Sequence, residues 1–186
     1  MNYQIKKPNE LTDSETGFIL KLWEVPEWSE MTPSDFRTSF KDSEFHLLLS
    51  SEEEILSVIR LNFDFVLEIS GKQYSFAEAV GLVSAQEKKG YGSHLVRSFT
   101  ENVIQRNLET IGFCFTDLRP FYHLCDIEIL EDKAKAILEN DKTGWISSED
   151  DDILIFNTSE KTKKLLRQLG PENNAYLIIK EQYNEL

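Results

Sequence analysis

Positive charge, cysteine and long apolar runs are all scarce in this chain of 186 residues, and each shortage removes a class of function. Lysine and arginine total 20 against 33 aspartates and glutamates, a formal net charge of −13, so neither nucleic acid nor an anionic membrane is expected as a partner. Acidic surfaces also simply keep proteins soluble; a cationic substrate is compatible with this one. Cys114 and Cys125 form no Cys-x-x-Cys pair, which argues against a disulfide framework or a structural zinc site. No stretch approaches the roughly 18 uninterrupted apolar residues of a membrane helix. The opening MNYQIKKPNELTDSE has no apolar signal core, so the expected location is the cytoplasm. His46, His94 and His123 are scattered, with no His-x-x-x-His or HExxH spacing for zinc. There is no Gly-x-Ser-x-Gly elbow, and Cys114 lies in an apolar stretch that suits an inert thiol better than a nucleophile. No metal is called for, and no internal repeat is present.

What is present is organised around residues 77–106, AEAVGLVSAQEKKGYGSHLVRSFTENVIQR. An apolar strand gives way to an amphipathic helix carrying Leu95, Val96, Phe99, Val103 and Ile104, across a loop that holds Gly90 and Gly92. Glycine permits backbone angles closed to other residues and lets a ligand approach the main chain. The start of the helix offers unpaired N–H groups and the positive end of its dipole, so the junction suits an anion. It is not a Walker loop, because the spacing and the closing Lys-Ser/Thr are missing, and the third glycine of a dinucleotide fingerprint falls on Leu95.

Gly90-Tyr91-Gly92, followed by Ser93 and this helix, resembles the Gln/Arg-x-x-Gly-x-Gly/Ala loop of the GCN5-related N-acetyltransferases, which binds the pyrophosphate of acetyl-coenzyme A. Phe121-Tyr122 resembles the start of a second family pattern, Phe-Tyr-x-x-x-Gly-Phe. The sequence departs from the family at Glu87, where Gln or Arg is usual, and at Asp126, where Gly is usual. The resemblance spans about Phe76 to Tyr122. It implies an α+β fold with a single mixed, largely antiparallel central sheet flanked by helices, consistent with one domain over residues 1–186. It also implies a cofactor site made of Leu82, Val83, Glu87, Lys88, Lys89, Gly90, Tyr91, Gly92 and Ser93. There the N–H groups of Leu82 and Val83 would meet the thioester carbonyl. The Glu87 side chain would face away, with Lys88 and Lys89 offsetting its charge.

Read in order, residues Tyr3 to Lys7 suit a first strand, and Thr12 or Asp13 caps a helix that ends before Pro26. Thr32-Pro33 opens a second helix running to Phe40. Trp28, Met31, Phe36 and Phe40 are either a substrate wall or, more in keeping with such stripes, a packing face. Phe45 to Leu49 and Ile55 to Phe65 read as a hairpin, and Ser70-Gly71 turns into a strand from Tyr74 to Val83. Thr110 to Phe115 is a buried strand, and Pro120 opens a helix. Trp145 to Ser147 and Ile153 to Phe156 are read as a strand pair around Glu149-Asp150-Asp151-Asp152, a solvated hairpin tip. Thr162 to Leu169 is a helix, and Ala175 to Ile179 a last strand.

Acetyl transfer to an amine needs a neutral nucleophile, a polarised carbonyl and a proton for the departing thiolate. Glu78 is an ionisable residue inside the apolar run FAEAVGLV, where a charge is costly unless used or paired. The resemblance makes it the general base, with a Glu-x-Val pattern similar to that of the aminoglycoside 2′-N-acetyltransferases. The plain alternative is a glutamate on the solvent side of a strand. By the same resemblance Tyr122 protonates coenzyme A; the alternative is a core tyrosine bonded to a carbonyl. The reading is therefore a cytoplasmic N-acetyltransferase, monomer or homodimer, acting on a polyamine, an aminoglycoside-like amine or a peptide amine. Its rival is a non-catalytic module that binds coenzyme A as a ligand or sensor.

Overall fold

The computed structural model of the chain describes residues 1–141 and 143–178. Its elements in chain order are β1 (Asn2–Lys6), α1 (Asp13–Trp23), α2 (Pro33–Ser39), β2 (Ser43–Leu49), β3 (Ile55–Ile69), β4 (Lys72–Ser84), α3 (Tyr91–Gln105) and β5 (Thr110–Cys114). They continue with α4 (Arg119–Leu124), β6 (Glu128–Leu130), β7 (Ile137–Asn140), β8 (Trp145–Ser147), β9 (Asp152–Asn157), α5 (Glu160–Arg167) and β10 (Ala175–Leu177). The architecture is α+β, a mixed arrangement of ten strands with five α-helices among the described residues. Two compact units divide it, and β3 and β4 give part of their length to each.

The first unit holds Met1–Phe63 and Ala79–Arg106. β1 pairs antiparallel with β2, and β2 with β3. Both early helices start where the sequence says they should. The Thr12 and Thr32 hydroxyls accept the N–H groups of Glu15 and Asp35, whose carboxylates reach back to the two cap N–H groups. Pro33 sits at the start of α2, where no N–H is needed. The aromatic stripe is packing: Phe36 is wholly buried, and Trp23 lies within 6.1 Å of Trp28, Phe36, Phe40 and Phe45, centroid to centroid. At the far end of α3, Arg106 grips Glu44 through both terminal nitrogens (2.6 and 3.1 Å). With His46 and Arg106 beside it, the Glu44 carboxyl is held at about 2. The helix that follows the glycine loop is thus tied to β2 by a two-pronged ion pair.

The second unit holds Asp64–Glu78 and the described residues from Asn107 onward. Its strands follow the order β6-β9-β5-β4-β3-β10-β7-β8, with β10 antiparallel to β3 and parallel to β7. β9 does not pair with β8, contrary to the expectation from sequence. It lies between β5 and β6, and β8 pairs instead with β7. The reason is burial: five successive residues of β9, Asp152 to Phe156, are buried, so the strand needs neighbours on both edges. β8 is exposed throughout and suits an outer hairpin, whose turn is closed by the Asp141 carboxylate accepting the N–H groups of Thr143 and Gly144. The run Glu149 to Asp152 is not a solvated tip either. Asp152 is fully buried, and Asp151 accepts the N–H and hydroxyl of Thr116. The last strand is Ala175–Leu177, and Ile179 lies outside the described residues.

Candidate functional site

β4 ends at Ser84 and α3 begins at Tyr91, so residues 85–90 form the loop picked out in the sequence. Gly90 caps the helix with φ +77°, and Lys88 also has a positive φ of 58°. Such alternation turns successive N–H groups toward one side, the concavity that anions occupy. No side chain caps this end of α3, and its first turn carries no acidic residue, so the positive end of a 15-residue helix is left uncompensated. A Cβ placed on Gly90 would meet only the Ser93 Oγ, at 3.9 Å, so there is room beside the backbone. Glu87, Lys88 and Lys89 are exposed, and Tyr91, Gly92 and Ser93 are half-buried. These residues fit a pyrophosphate: open space, a glycine in the left-handed region and uncapped N–H groups coincide at one helix end. The exposed Glu87 is not forced toward it.

One residue of this region was not singled out in the sequence. Gly81 lies inside β4 with φ +68°, one position before Leu82 and Val83. Its carbonyl accepts the indole N–H of Trp23 at 2.7 Å. A left-handed residue breaks the pleat, and the burial pattern responds: Phe76, Ala77 and Ala79 are buried, while every residue from Val80 to Ser84 is half-buried. An isolated glycine in an apolar strand was the available signal. Beyond the kink, the Val83 carbonyl accepts the Ser57 hydroxyl at 2.7 Å and the Ala85 N–H bonds the Leu56 carbonyl at 2.9 Å, so the end of β4 is held firmly on β3.

In the second unit, Glu78 is half-buried on β4 between buried Ala77 and Ala79. Tyr122, on α4, is 6% exposed, and its hydroxyl has no hydrogen-bond partner among the described residues. Burial raises the phenol above its ordinary value, and the nearby Cys114, Cys125 and Asp150 act in the same direction, so Tyr122 stays protonated across the neutral range. Cys114 is buried and its thiol is pushed up to about 12 by burial and by Asp152, which keeps it from acting as a thiolate. Asp126 takes φ +59°, so the aspartate adopts the backbone a glycine would have supplied. Aspartate is among the residues that tolerate this region, and the departure from the family pattern leaves the turn after α4 intact. Among the described residues no group of three or more His, Cys, Asp or Glu could hold a metal ion, and no helix is long and apolar enough to cross a membrane.

No family model and no curated protein matches the chain. Solved structures do. An N-acetyltransferase from Staphylococcus aureus Mu50 superposes over 83% of this chain and 96% of its own, at 14% identity and a TM-score of 0.53. An acyl-CoA N-acyltransferase from Pseudomonas aeruginosa covers 83% of this chain and 97% of its own, at 13% identity and a TM-score of 0.52. A probable N-acyltransferase from Enterococcus faecalis V583 matches 69% of this chain at 16% identity and a TM-score of 0.50, and the match spans 32% of that protein. With its mixed sheet of ten strands and five α-helices among the described residues, the chain shares the α+β fold of these N-acetyl- and N-acyltransferases.

Proposed function

We propose that the protein transfers an acetyl group from acetyl-coenzyme A to a primary amine by direct attack in a ternary complex. The observation that carries this reading is the uncapped, acid-free start of α3 behind the left-handed Gly90, on the fold of N-acetyltransferases. Acetyl-coenzyme A supplies the activated acyl group. The loop N–H groups from Gly90 to Ser93 hold its pyrophosphate, and Lys88 and Lys89 add charge at the rim. The N–H groups of Leu82 and Val83, directly after the kink at Gly81, donate to the carbonyl oxygen as negative charge develops on it. Glu78 takes the proton from the ammonium, directly or through one water, and leaves the amine a free lone pair. The Tyr122 hydroxyl donates a hydrogen bond to the departing sulfur. Its raised pKa keeps the proton in place until charge builds there, and water completes the protonation of the thiolate. The net charge of −13 and the carboxylate at Glu78 favour a cationic acceptor: a polyamine, an aminoglycoside-like amine or a peptide amine.

Two experiments test this. Acetyl-coenzyme A or free coenzyme A at 100 times Kd is expected to raise Tm by about 5 to 10 °C, ATP to leave it unchanged, and Gly90→Glu to abolish the shift. No shift at saturating ligand sinks the cofactor assignment. Release of coenzyme A thiol is then followed with spermidine, kanamycin and a lysine peptide. At pH 7, Glu78→Gln is expected to lower kcat/KM by about a hundredfold, the low end for general bases, because the amine also loses its proton to water. The loss should shrink as pH rises toward the acceptor's own pKa. Stabilisation by coenzyme A without turnover of any amine would instead identify a binding module.

A further inference from the structure

Outside the groups already given a role, the most heavily used side chain among the described residues of the second unit is Arg119, the first residue of α4. Its Nε and Nη2 donate to Asp152 at 2.6 and 2.7 Å, Nη1 donates to Glu131 at 2.9 Å and Nη2 also to Asp132 at 3.0 Å. Asp152, at the start of β9 and opposite Cys114 at the end of β5, is fully buried and takes a third hydrogen bond from the Asp132 N–H at 2.8 Å. Burial alone would raise its carboxyl, but the Arg119 guanidinium and the Asp132 N–H bring it below the usual carboxylate range. One cation therefore ties the first turn of α4 to the start of β9 and to the turn after β6.

Stability is a poor explanation for this arrangement. An ion pair with one partner fully buried still pays for that partner's desolvation, and such pairs are often matched by apolar residues of the same volume. What it supplies is direction, because a guanidinium bound in two parallel hydrogen bonds fixes both distance and plane. Direction is what α4 lacks: at six residues it is too short to hold its own axis. Three residues after Arg119 comes Tyr122, whose hydroxyl nothing else among the described residues holds. The C-terminal end of the helix is already tied, since the Tyr122 carbonyl accepts the N–H groups of Cys125 at 3.0 Å and Ile127 at 3.1 Å.

The geometry points to the Arg119–Asp152 pair as the positioning device for Tyr122: it fixes the N-terminal end of α4, and so the place of the hydroxyl, without touching the substrate. This rests on the proposed role of Tyr122 and adds the residues that keep it in register. From sequence alone the acidic run is expected to face solvent; its last member is the buried half of this clamp.

The test is a double-mutant comparison in the full chain. It uses acetyl-coenzyme A with the fastest acceptor of the amine series, or water if none is faster. Arg119→Lys keeps the charge but loses the fork, and Asp152→Asn keeps the shape but loses the charge. Each is expected to lower kcat about tenfold, less than the hundredfold that a shift of roughly 1 Å can cause, with KM for acetyl-coenzyme A unchanged. In a Tyr122→Phe background neither should lower kcat further, because the hydroxyl they position is gone. Amide exchange of the apo protein supplies a readout without turnover: protection at Asp132, whose N–H donates to Asp152, should fall in Arg119→Lys while Tm stays within a few degrees. Multiplicative losses in the double mutants, or equal exchange in the two proteins, overturn the clamp alone. Full activity of Tyr122→Phe overturns the role of Tyr122 and the clamp with it. If Arg119→Lys does not fold, Asp152→Asn decides by the same criteria.

Discussion

Tyr122→Phe is expected to lower kcat by roughly a hundredfold while leaving KM for acetyl-coenzyme A and Tm unchanged. The substitution removes one oxygen from a ring that is 6% exposed and already packed edge-on against Phe121 at 5.0 Å. Deleting a hydroxyl usually leaves a stranded partner, which costs stability. Here no described residue is bonded to it, so nothing is stranded and a change in rate reports on chemistry. The two readings of Tyr122 therefore predict opposite patterns. A hydrogen-bond donor to the departing sulfur loses kcat and keeps Tm, whereas a structural tyrosine loses Tm and keeps kcat. Steady-state kinetics beside a thermal melt separates them in one preparation. Burial has pushed the phenol above its ordinary value, so the wild-type rate should not fall through Tyr122 ionisation anywhere below about pH 10.

Gly81→Ala is expected to destabilise the protein by about 2 to 4 kcal/mol, the sum of left-handed strain on alanine and of overpacking. For a chain of this length that lowers Tm by about 5 to 15 °C. The strain follows from φ +68°. The overpacking follows from what a Cβ would meet: Trp23 Nε1 at 2.9 Å, Cε2 at 3.0 Å and Cζ2 at 3.2 Å. The indole cannot simply give way. It donates to the Gly81 carbonyl and is surrounded by Trp28, Phe36, Phe40 and Phe45. Gly90→Ala is the control, since Gly90 has a similar φ but open space, and only the strain of about 1 kcal/mol should appear. Equal losses at the two glycines would show that Trp23 does not hold β4. A second consequence is functional: a straightened β4 would move the Leu82 and Val83 N–H groups, so any folded Gly81→Ala should also lose kcat.

Local chemistry made much of this molecule legible beforehand. Thr12 and Thr32 mark helix starts because an oxygen, a carboxylate three residues later and a proline suffice to satisfy a helix end, whatever lies around it. The hairpin of β2 and β3 and the helix after Gly90 follow from periodicity for the same reason. The glycine loop could be read as an anion site because backbone N–H groups and the helix dipole belong to the segment itself.

The misreadings all involve partners distant in sequence. Asp152 was taken for a solvated residue, since four consecutive carboxylates normally seek water. Arg119, 33 positions earlier, and the Asp132 N–H hold it in its buried place. β9 was paired with the strand nearest in sequence, yet its burial on both faces demanded β5 and β6 as neighbours. Gly81 reads as a gap in an apolar run until Trp23, 58 positions away, is seen to occupy the space its Cβ would need. By itself the sequence determined the caps, the glycine loop and the strand-to-helix junction, because each is settled within a few residues by hydrogen bonds and backbone angles. Tertiary structure decided the kink in β4, the partners of β9 and the clamp on α4, because burial is a property of neighbours that the chain brings together only when it folds.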